Sequence, residues 1–327
     1  MTKSVLIFHG NCVDGAFSAA VALRALKARG EGEPLLVPAA YQRSLENYVG
    51  VEQVRGAVVY VLDFSFPPDE TFNLSCMVGE HGKVIVVDHH DRQIKKFSGW
   101  KVPPNVELVF DVEHSGAVLT WKRFYPADED VSAFLRYVED YDLWQHRISD
   151  SKAVHAYLRS IETDPLVYVK LLDDLEDEGK MSIEGAYRHV GVETVAVVEG
   201  RAILRANLQQ AQVLASKPET VHFAGITALA ANTAVHVDDV GDMLASGCAD
   251  GVGVTWYWHD GKYKVSLRSR SSDGREKVDV SAIAARYGGG GHAGAAGFSC
   301  QELPWRRPPT FAEMAAASRP LPPGSDR

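Results

Sequence analysis

The chain has 327 residues, of which 46% are hydrophobic and 24% charged, with a net charge of −9. That is the composition of an ordinary globular protein long enough for two domains. The acidic balance excludes a general polyanion coat of the histone type but leaves room for a local basic groove and a nucleotide partner.

Four short β-branched runs, "SVLIF" (4–8), "AVVYVLDF" (57–64), "KVIVVDHH" (83–90) and "VELVFD" (106–111), punctuate the first third of the chain. Continuous apolar runs of this length read as strands buried on both faces, as in a parallel sheet. Helical stretches lie between them, beginning with 16–28 and stopping near Gly30. "SGAVLTWKRFY" (115–125) reads as a helix stopped by Pro126, and 131–139 resumes a helical pattern. Strand and helix in alternation predict a doubly wound α/β layer. From 165 to 215 the pattern is helical and more charged, with 194–216 reading as one connecting helix. A strand-like run, "FAGITALAAN" (223–232), opens a second unit. In "GVGVTWYWHDGKYKVSLRSRS" (251–271) the Asp-Gly pair between alternating runs signals a hairpin. A short helix (280–287) and the loop "GGGGHAGAAGF" (288–298) follow, then a proline-rich tail from 301 read as irregular. The resulting division is 1–165, a helical linker at 166–216, a smaller α/β domain at 217–300, and the tail at 301–327.

Cys12, Cys76, Cys248 and Cys300 show no CxxC spacing, so neither a zinc knuckle nor a redox pair is predicted. Free thiols, no leader-like segment and no long apolar run point to the cytoplasm and to no membrane partner.

The predicted strands end in chemistry. The first ends in His9 and turns to Asp14, the second carries Asp63, and the third ends in Asp88, His89 and His90. Ligands of open α/β sheets bind outside the carboxyl ends of strands, so these side chains meet at one edge. A further acidic pair, Asp140 and Asp142, lies in "YVEDYDLW". Adjacent carboxylates resist joint ionisation, and divalent cations relieve that cost. The N and O donor set suits Mn²⁺, with Mg²⁺, Fe²⁺ or Co²⁺ as alternatives. So many ligands fit two ions about 3.5–4 Å apart, the arrangement that activates water against phosphate esters.

"DHH" at 88–90 after a hydrophobic strand, Asp63 in "VLDFS" and the His9–Asp14 turn resemble the DHH phosphoesterases. "SLRS" (266–269) and "GGGGHAGAAGF" resemble their DHH-associated C-terminal domain, with its GGGH-x-x-AAG loop. That loop separates the chain from the family II pyrophosphatases. The resemblance covers residues 1 to about 300. It implies a metal-bearing α/β domain facing a smaller one that holds the rest of the substrate. It also implies Mn²⁺-dependent hydrolysis of short single-stranded oligonucleotides or small, including cyclic, nucleotides. Phosphomonoester hydrolysis of adenosine 3′,5′-bisphosphate is an alternative, and a non-catalytic nucleotide sensor is another. A homodimer stays open as a partner.

Carried over by the resemblance, His9, Asp14, Asp63, His89 and Asp140 are metal ligands, with Asp63 bridging and Asp140 preferred over Asp142. Asp88 orients the histidine pair, and His90 faces the scissile phosphate as proton donor or charge stabiliser. Arg268 pairs with a substrate phosphate beside Ser269, while Gly289, Gly290, Gly291 and His292 line the anion. Arg270 and Arg275 are candidates to extend the positive surface. The family's first motif offers a histidine and two aspartates at alternating positions. Here only Asp14 remains, and Asn11 lies where an acid could stand. The expectation is weaker or asymmetric occupancy of one metal position, with Asn11 as a neutral candidate ligand.

Overall fold

A computed structural model of the chain describes residues 3–41, 43–127, 131–143, 145–181, 192–270 and 278–306, with the backbone alone at 175–181 and 192–194. Two compact units divide it, Met1–Leu204 and Arg205–Arg327.

In the first unit the predicted alternation appears in full. It runs β1 (Ser4–His9), α1 (Val13–Ala28), β2 (Leu35–Ala39), α2 (Val51–Val54), β3 (Val58–Leu62), α3 (Pro68–Val78), β4 (Lys83–Asp88), α4 (Asp91–Ile94) and β5 (Val106–Phe110). Five helices follow: α5 (Gly116–Phe124), α6 (Ala133–Asp142), α7 (Ser151–Ser160), α8 (Pro165–Met181) and α9 (Val192–Ala215). The five strands are all parallel, in the order β2-β1-β3-β4-β5.

The two-residue strand period sorts the side chains. Val5, Ile7, Val59, Val61, Val84 and Val86 pack on one face with Leu74 and Val78 of α3. Leu6, Phe8, Tyr60, Leu62, Ile85 and Val87 pack on the other with Ala19, Ala22 and Leu26 of α1 and Leu119 and Phe124 of α5. Burial on both faces is why these strands are continuous apolar runs. Strand β2 breaks that pattern: it lies at the sheet edge, where Pro38 stands opposite Phe8 in register. A proline is tolerated there because an edge strand has an unpaired side.

The chain crosses from β1 to β2 on one side and then returns to β3 on the other. Successive connections therefore part between β1 and β3, opening a crevice at their carboxyl ends.

The second unit holds a six-stranded mixed sheet. Its elements are β6 (Glu219–Phe223), β7 (Ile226–Asn232), α10 (Val237–Gly247), β8 (Val252–His259), β9 (Lys262–Ser269), α11 (Val280–Arg286), β10 (Gly290–His292) and β11 (Ala295–Cys300). The order is β10-β11-β9-β8-β7-β6, with β7 and β8 parallel and the other pairs antiparallel. The Asp260-Gly261 hairpin turn has positive φ at both residues, as its sequence predicts. Two predicted segments differ from expectation. The run 223–232 is not one strand: Ala224 and Gly225 take positive φ and fold it into a β6–β7 hairpin. The glycine run, read as a loop, is strand β10 paired with β11, Gly291 standing opposite Ala296. Beyond β11, Leu303 is buried in this unit's core and Trp305 packs on Phe223, at 5.2 Å between ring centres. The remainder of the proline-rich tail lies outside the described residues.

Candidate metal centre

Short connections at the carboxyl edge of the parallel sheet carry the reactive groups. His9 is the last residue of β1. Asn11 reverses the chain with φ 54°, a conformation asparagine tolerates, and its carbonyl accepts Arg159 Nη1 at 3.0 Å. Cys12 is then the N-cap of α1, and Asp14 lies in the first turn of that helix. The turn is tight: a Cβ at Gly15 would stand 2.2 Å from the His9 carbonyl oxygen. Asp63 follows β3 with φ 52°. A buried non-glycine residue in this region is strained backbone held by its surroundings. Asp88, His89 and His90 follow β4.

These residues converge. His89 Nε2 lies 3.1 Å from Asp63 Oδ1, 3.7 Å from Asp14 Oδ2 and 3.3 Å from Asp142 Oδ2. His9 Nδ1 meets Asp63 Oδ2 at 3.3 Å. Three overlapping groups of donor atoms each fall within 4.8 Å: His9, Cys12 and Asp63; Asp63, His89 and His90; Asp14, His89 and Asp142. Asp63 belongs to two of them, as a carboxylate shared between adjacent cations would.

Asp14 is held from behind, its two oxygens accepting the Gly116 and Ala117 N–H groups at 2.7 and 3.0 Å. These are the first amides of α5, which carry the positive end of the helix dipole. Asp88 is fully buried. Its Oδ1 accepts the His89 and His90 backbone N–H groups at 2.8 and 3.1 Å and His90 Nδ1 at 2.7 Å, while Oδ2 accepts the Ser65 hydroxyl. His90 thereby keeps its other nitrogen, Nε2, for a further partner, and its side chain is 32% exposed.

The electrostatics suit a cation. Burial, then the Asp63 and Asp142 carboxylates, push Asp14 well above the usual carboxylate range. Burial and Asp63 raise Asp142 as well. Burial also opposes ionisation of Asp63, but the adjacent His89 and His9 imidazoles outweigh it and hold that carboxyl well below its usual range. Burial works against protonated His89, yet Asp63 and Asp14 push it up to about 10. Asp63 Oδ1 and His89 Nε2 are nonetheless buried in a geometry that closes no hydrogen bond. The Asp14, Asp63 and Asp142 carboxylates with the His9 and His89 imidazoles, and the orphaned atoms on Asp63 and His89, fit divalent cations, which would remove the mutual repulsion and occupy the orphaned lone pairs.

One ligand expected from sequence is displaced. Asp140 Oδ1 turns to the loop after α6 and accepts the Arg147 N–H at 2.7 Å, while Asp142 sits beside His89. Residues two apart on a helix point in different directions, so only one of the pair can face the site. Trp144, in the same run, lies outside the described residues. Cys12, one of the free thiols, lies among the candidate ligands. Tyr41 was not singled out, and its ring packs 5.3 Å from that of His9 and 5.7 Å from that of His90. The hydroxyl of Tyr41 is buried without a hydrogen-bond partner.

In the second unit, Arg268 lies on β9 with Nη2 paired to Asp238 of α10 and Nη1 donating to the Leu267 carbonyl at 2.9 Å. Arg270 pairs with Asp242 at 2.7 Å. The Ser269 hydroxyl is committed to the Val278 carbonyl at 2.7 Å, so it serves the fold of the glycine hairpin rather than a free ligand. Glycine is required along this hairpin by close approach: a Cβ at Gly289 would stand 2.1 Å from the Gly297 oxygen. His292 is exposed at the end of β10. Arg275 lies outside the described residues.

Residues 224–317 match the DHHA1 domain model. An uncharacterized protein of Acanthamoeba polyphaga mimivirus is 26% identical over 311 residues, 90% of this chain and 67% of that one. Similar solved structures include RecJ of Thermus thermophilus with Mn²⁺, at TM-score 0.48 and 16% identity over 96% of this chain and 51% of that one. A pGpG-specific phosphodiesterase of Vibrio cholerae gives TM-score 0.48 and 12% identity over 91% and 93% of the two chains. An exopolyphosphatase-related protein of Bacteroides fragilis gives 0.44 and 14% over 96% and 90%.

Proposed function

We propose that this chain, which carries a DHHA1 domain at residues 224–317 and resembles the DHH phosphoesterases, hydrolyses phosphodiesters of short oligonucleotides or small nucleotides with divalent cations. The observation that carries this reading is the convergence of His9, Asp14, Asp63 and His89 at the carboxyl edge of β1, β3 and β4 with Asp142 of α6, around the buried Asp14 and Asp63, with Asp63 common to adjoining ligand groups.

Asp14 and Asp142 with His89 would hold one divalent cation, and Asp63 with His9 would hold another; bound there, such ions, Mn²⁺ among them, would supply water activation and charge stabilisation at the phosphoryl oxygens. The chain's own groups do the rest. Burial disfavours a charged His90, but its bond to Asp88 and the nearby Asp63 carboxylate outweigh this and raise its proton affinity. His90 therefore retains a proton that Nε2 can give to the departing ester oxygen. Asp88 fixes that ring and both backbone amides of the pair, so the donor does not rotate away. The Arg268 guanidinium is suited to a distal phosphate of the substrate. The net charge of −9 favours short substrates over long duplexes.

The test is a panel of pApA, a five-nucleotide RNA, adenosine 3′,5′-bisphosphate, cyclic di-AMP and pyrophosphate, offered to the Mn²⁺-loaded protein. Turnover should favour the diesters and fall at least about a hundredfold in Asp63→Ala and His89→Ala. Activity surviving both substitutions would refute the site. Tight nucleotide binding without turnover of any compound would mark a sensor instead.

A further inference from the structure

His9, Cys12 and Asp63 form a ligand group unlike the other two, because it contains sulfur. The local backbone brings the thiol there. Asn11 takes φ 54° and turns the chain back on itself, after which Cys12 is extended at φ −121° and ψ 134°. This places Sγ within 4.8 Å of a His9 ring nitrogen and an Asp63 carboxylate oxygen. Cys12 is the N-cap residue of helix α1, and its side chain makes no capping hydrogen bond there. Asp63 is 1% exposed, His9 and Cys12 are half-buried, and Asp63 Oδ2 already meets His9 Nδ1 at 3.3 Å, so the thiol belongs to a built group and not to the open surface. No disulfide competes, since Cys12, Cys76, Cys248 and Cys300 are all free.

We propose that Cys12 ligates the cation held by His9 and Asp63, so that this position takes a thiophilic ion of the Zn²⁺ or Co²⁺ class while the Asp14–His89–Asp142 position takes a harder ion such as Mn²⁺. The inference rests on the divalent-metal reading above and goes beyond it in assigning a new ligand and two unlike ions. Thiolate and imidazole together select softer ions, whereas carboxylates with one imidazole select harder ones. Forming the sulfur–metal bond breaks the S–H bond, and its proton leaves to solvent. The absence of an acid at Asn11 acquires a different meaning. The position is asymmetric in kind of ion, not simply weaker.

The full-length protein, kept reduced and anaerobic, is loaded with Co²⁺ and its absorption spectrum recorded. The expected result is a near-ultraviolet thiolate-to-cobalt charge-transfer band that Cys12→Ser removes while Cys76, Cys248 and Cys300 remain. In metal competition, the preference for Zn²⁺ over Mn²⁺ at one of the two positions falls at least about tenfold in Cys12→Ser. Cys12→Asp should convert the protein to binding Mn²⁺ at both. Should Cys12→Ser fail to fold, X-ray absorption of the Zn²⁺-loaded wild type reads the sulfur neighbour directly. Bound cobalt without the band, a band retained in Cys12→Ser, or a zinc shell without sulfur would overturn this proposal and leave the metal reading intact. Absence of any bound Co²⁺, Zn²⁺ or Mn²⁺ would overturn the metal reading and the proposal with it.

Discussion

Asp140 and Asp142 show how a two-residue difference separates chemistry from structure. Both sit in the last turn of α6. Asp140 is 4% exposed and its Oδ1 accepts the Arg147 amide, whereas Asp142 reaches His89. Asp142→Asn should therefore weaken metal binding by about 10- to 100-fold and leave the melting temperature of the metal-free protein nearly unchanged. Asp140→Asn should do the reverse: metal stoichiometry is preserved, and stability falls by about 1–3 kcal/mol as the loop amide loses its charged acceptor. Equilibrium dialysis and denaturant titration on both variants separate the two. A second residue carries a pH signature away from the ligands. His155 stacks on Tyr141 at 3.6 Å between ring centres and 11° between planes. Burial, reinforced by Arg159, lowers His155 from the usual 6.5 to about 4. A histidine with a depressed folded-state pKa contributes stability above 6.5 that is lost as pH falls toward 4. Unfolding free energy should drop by the order of 1 kcal/mol between pH 7 and pH 5, and His155→Gln should flatten that limb. An unchanged slope in the variant would remove His155 as the cause.

At the scale of elements, the parallel strands were legible because a strand buried on both faces has no choice but a continuous apolar run. Strand β2 was hidden by Pro38 and by its short, half-exposed edge position. The glycine hairpin was hidden because four glycines carry no period at all; its strand character comes from backbone contact with β11. The clustering of the candidate site was legible where a candidate ligand ends or follows a strand, as His9, Asp63 and His89 do. It was not legible where the support comes from far along the chain. Asp14 is held by amides 102 and 103 residues away, at the start of α5. Cys12 illustrates a counting ambiguity. Counted forward from His9, the alternating motif falls on Asn11; counted back from Asp14 it falls on Cys12, and only the three-dimensional turn decides. Gly116 makes the most direct test of the α5 contribution. A Cβ there would stand 2.5 Å from the Asp63 Cβ and 2.8 Å from its Oδ1. Gly116→Ala should displace Asp63, reducing metal affinity at least about tenfold and stability by about 1–3 kcal/mol. Gly247→Ala is the control, since its new Cβ would meet only Leu229 at 3.6 Å. Equal metal affinity in both variants would refute the steric role given to Gly116.

On the scale of the whole molecule, the candidate metal ligands and the residues proposed to bind substrate phosphate lie in separate units. All the candidate metal ligands lie within Met1–Leu204, whereas Arg268 and the glycine hairpin lie within Arg205–Arg327. Substitutions in the second unit should accordingly alter substrate affinity without altering metal stoichiometry. Arg268 gives this a quantitative form. Its guanidinium is 17% exposed and already paired with Asp238, which is 62% exposed. Its stem passes so close to α10 that a Cβ at Gly241 would stand 2.8 Å from Arg268 Cγ, so the head group has little freedom to swing elsewhere. A substrate phosphate must then compete with the Asp238 carboxylate for the same donors. An exposed ion pair of this kind is worth a few tenths to about 1 kcal/mol. Asp238→Asn should therefore lower KM for short oligonucleotides about two- to fivefold with kcat unchanged. Arg268→Ala should raise KM by about 10- to 100-fold, and the double substitution should show no gain from Asp238→Asn, because the freed donor is gone. Steady-state kinetics on the three variants at fixed ionic strength decides it. A gain that persists in the double variant would mean that Asp238 repels the substrate directly and does not act by occupying Arg268.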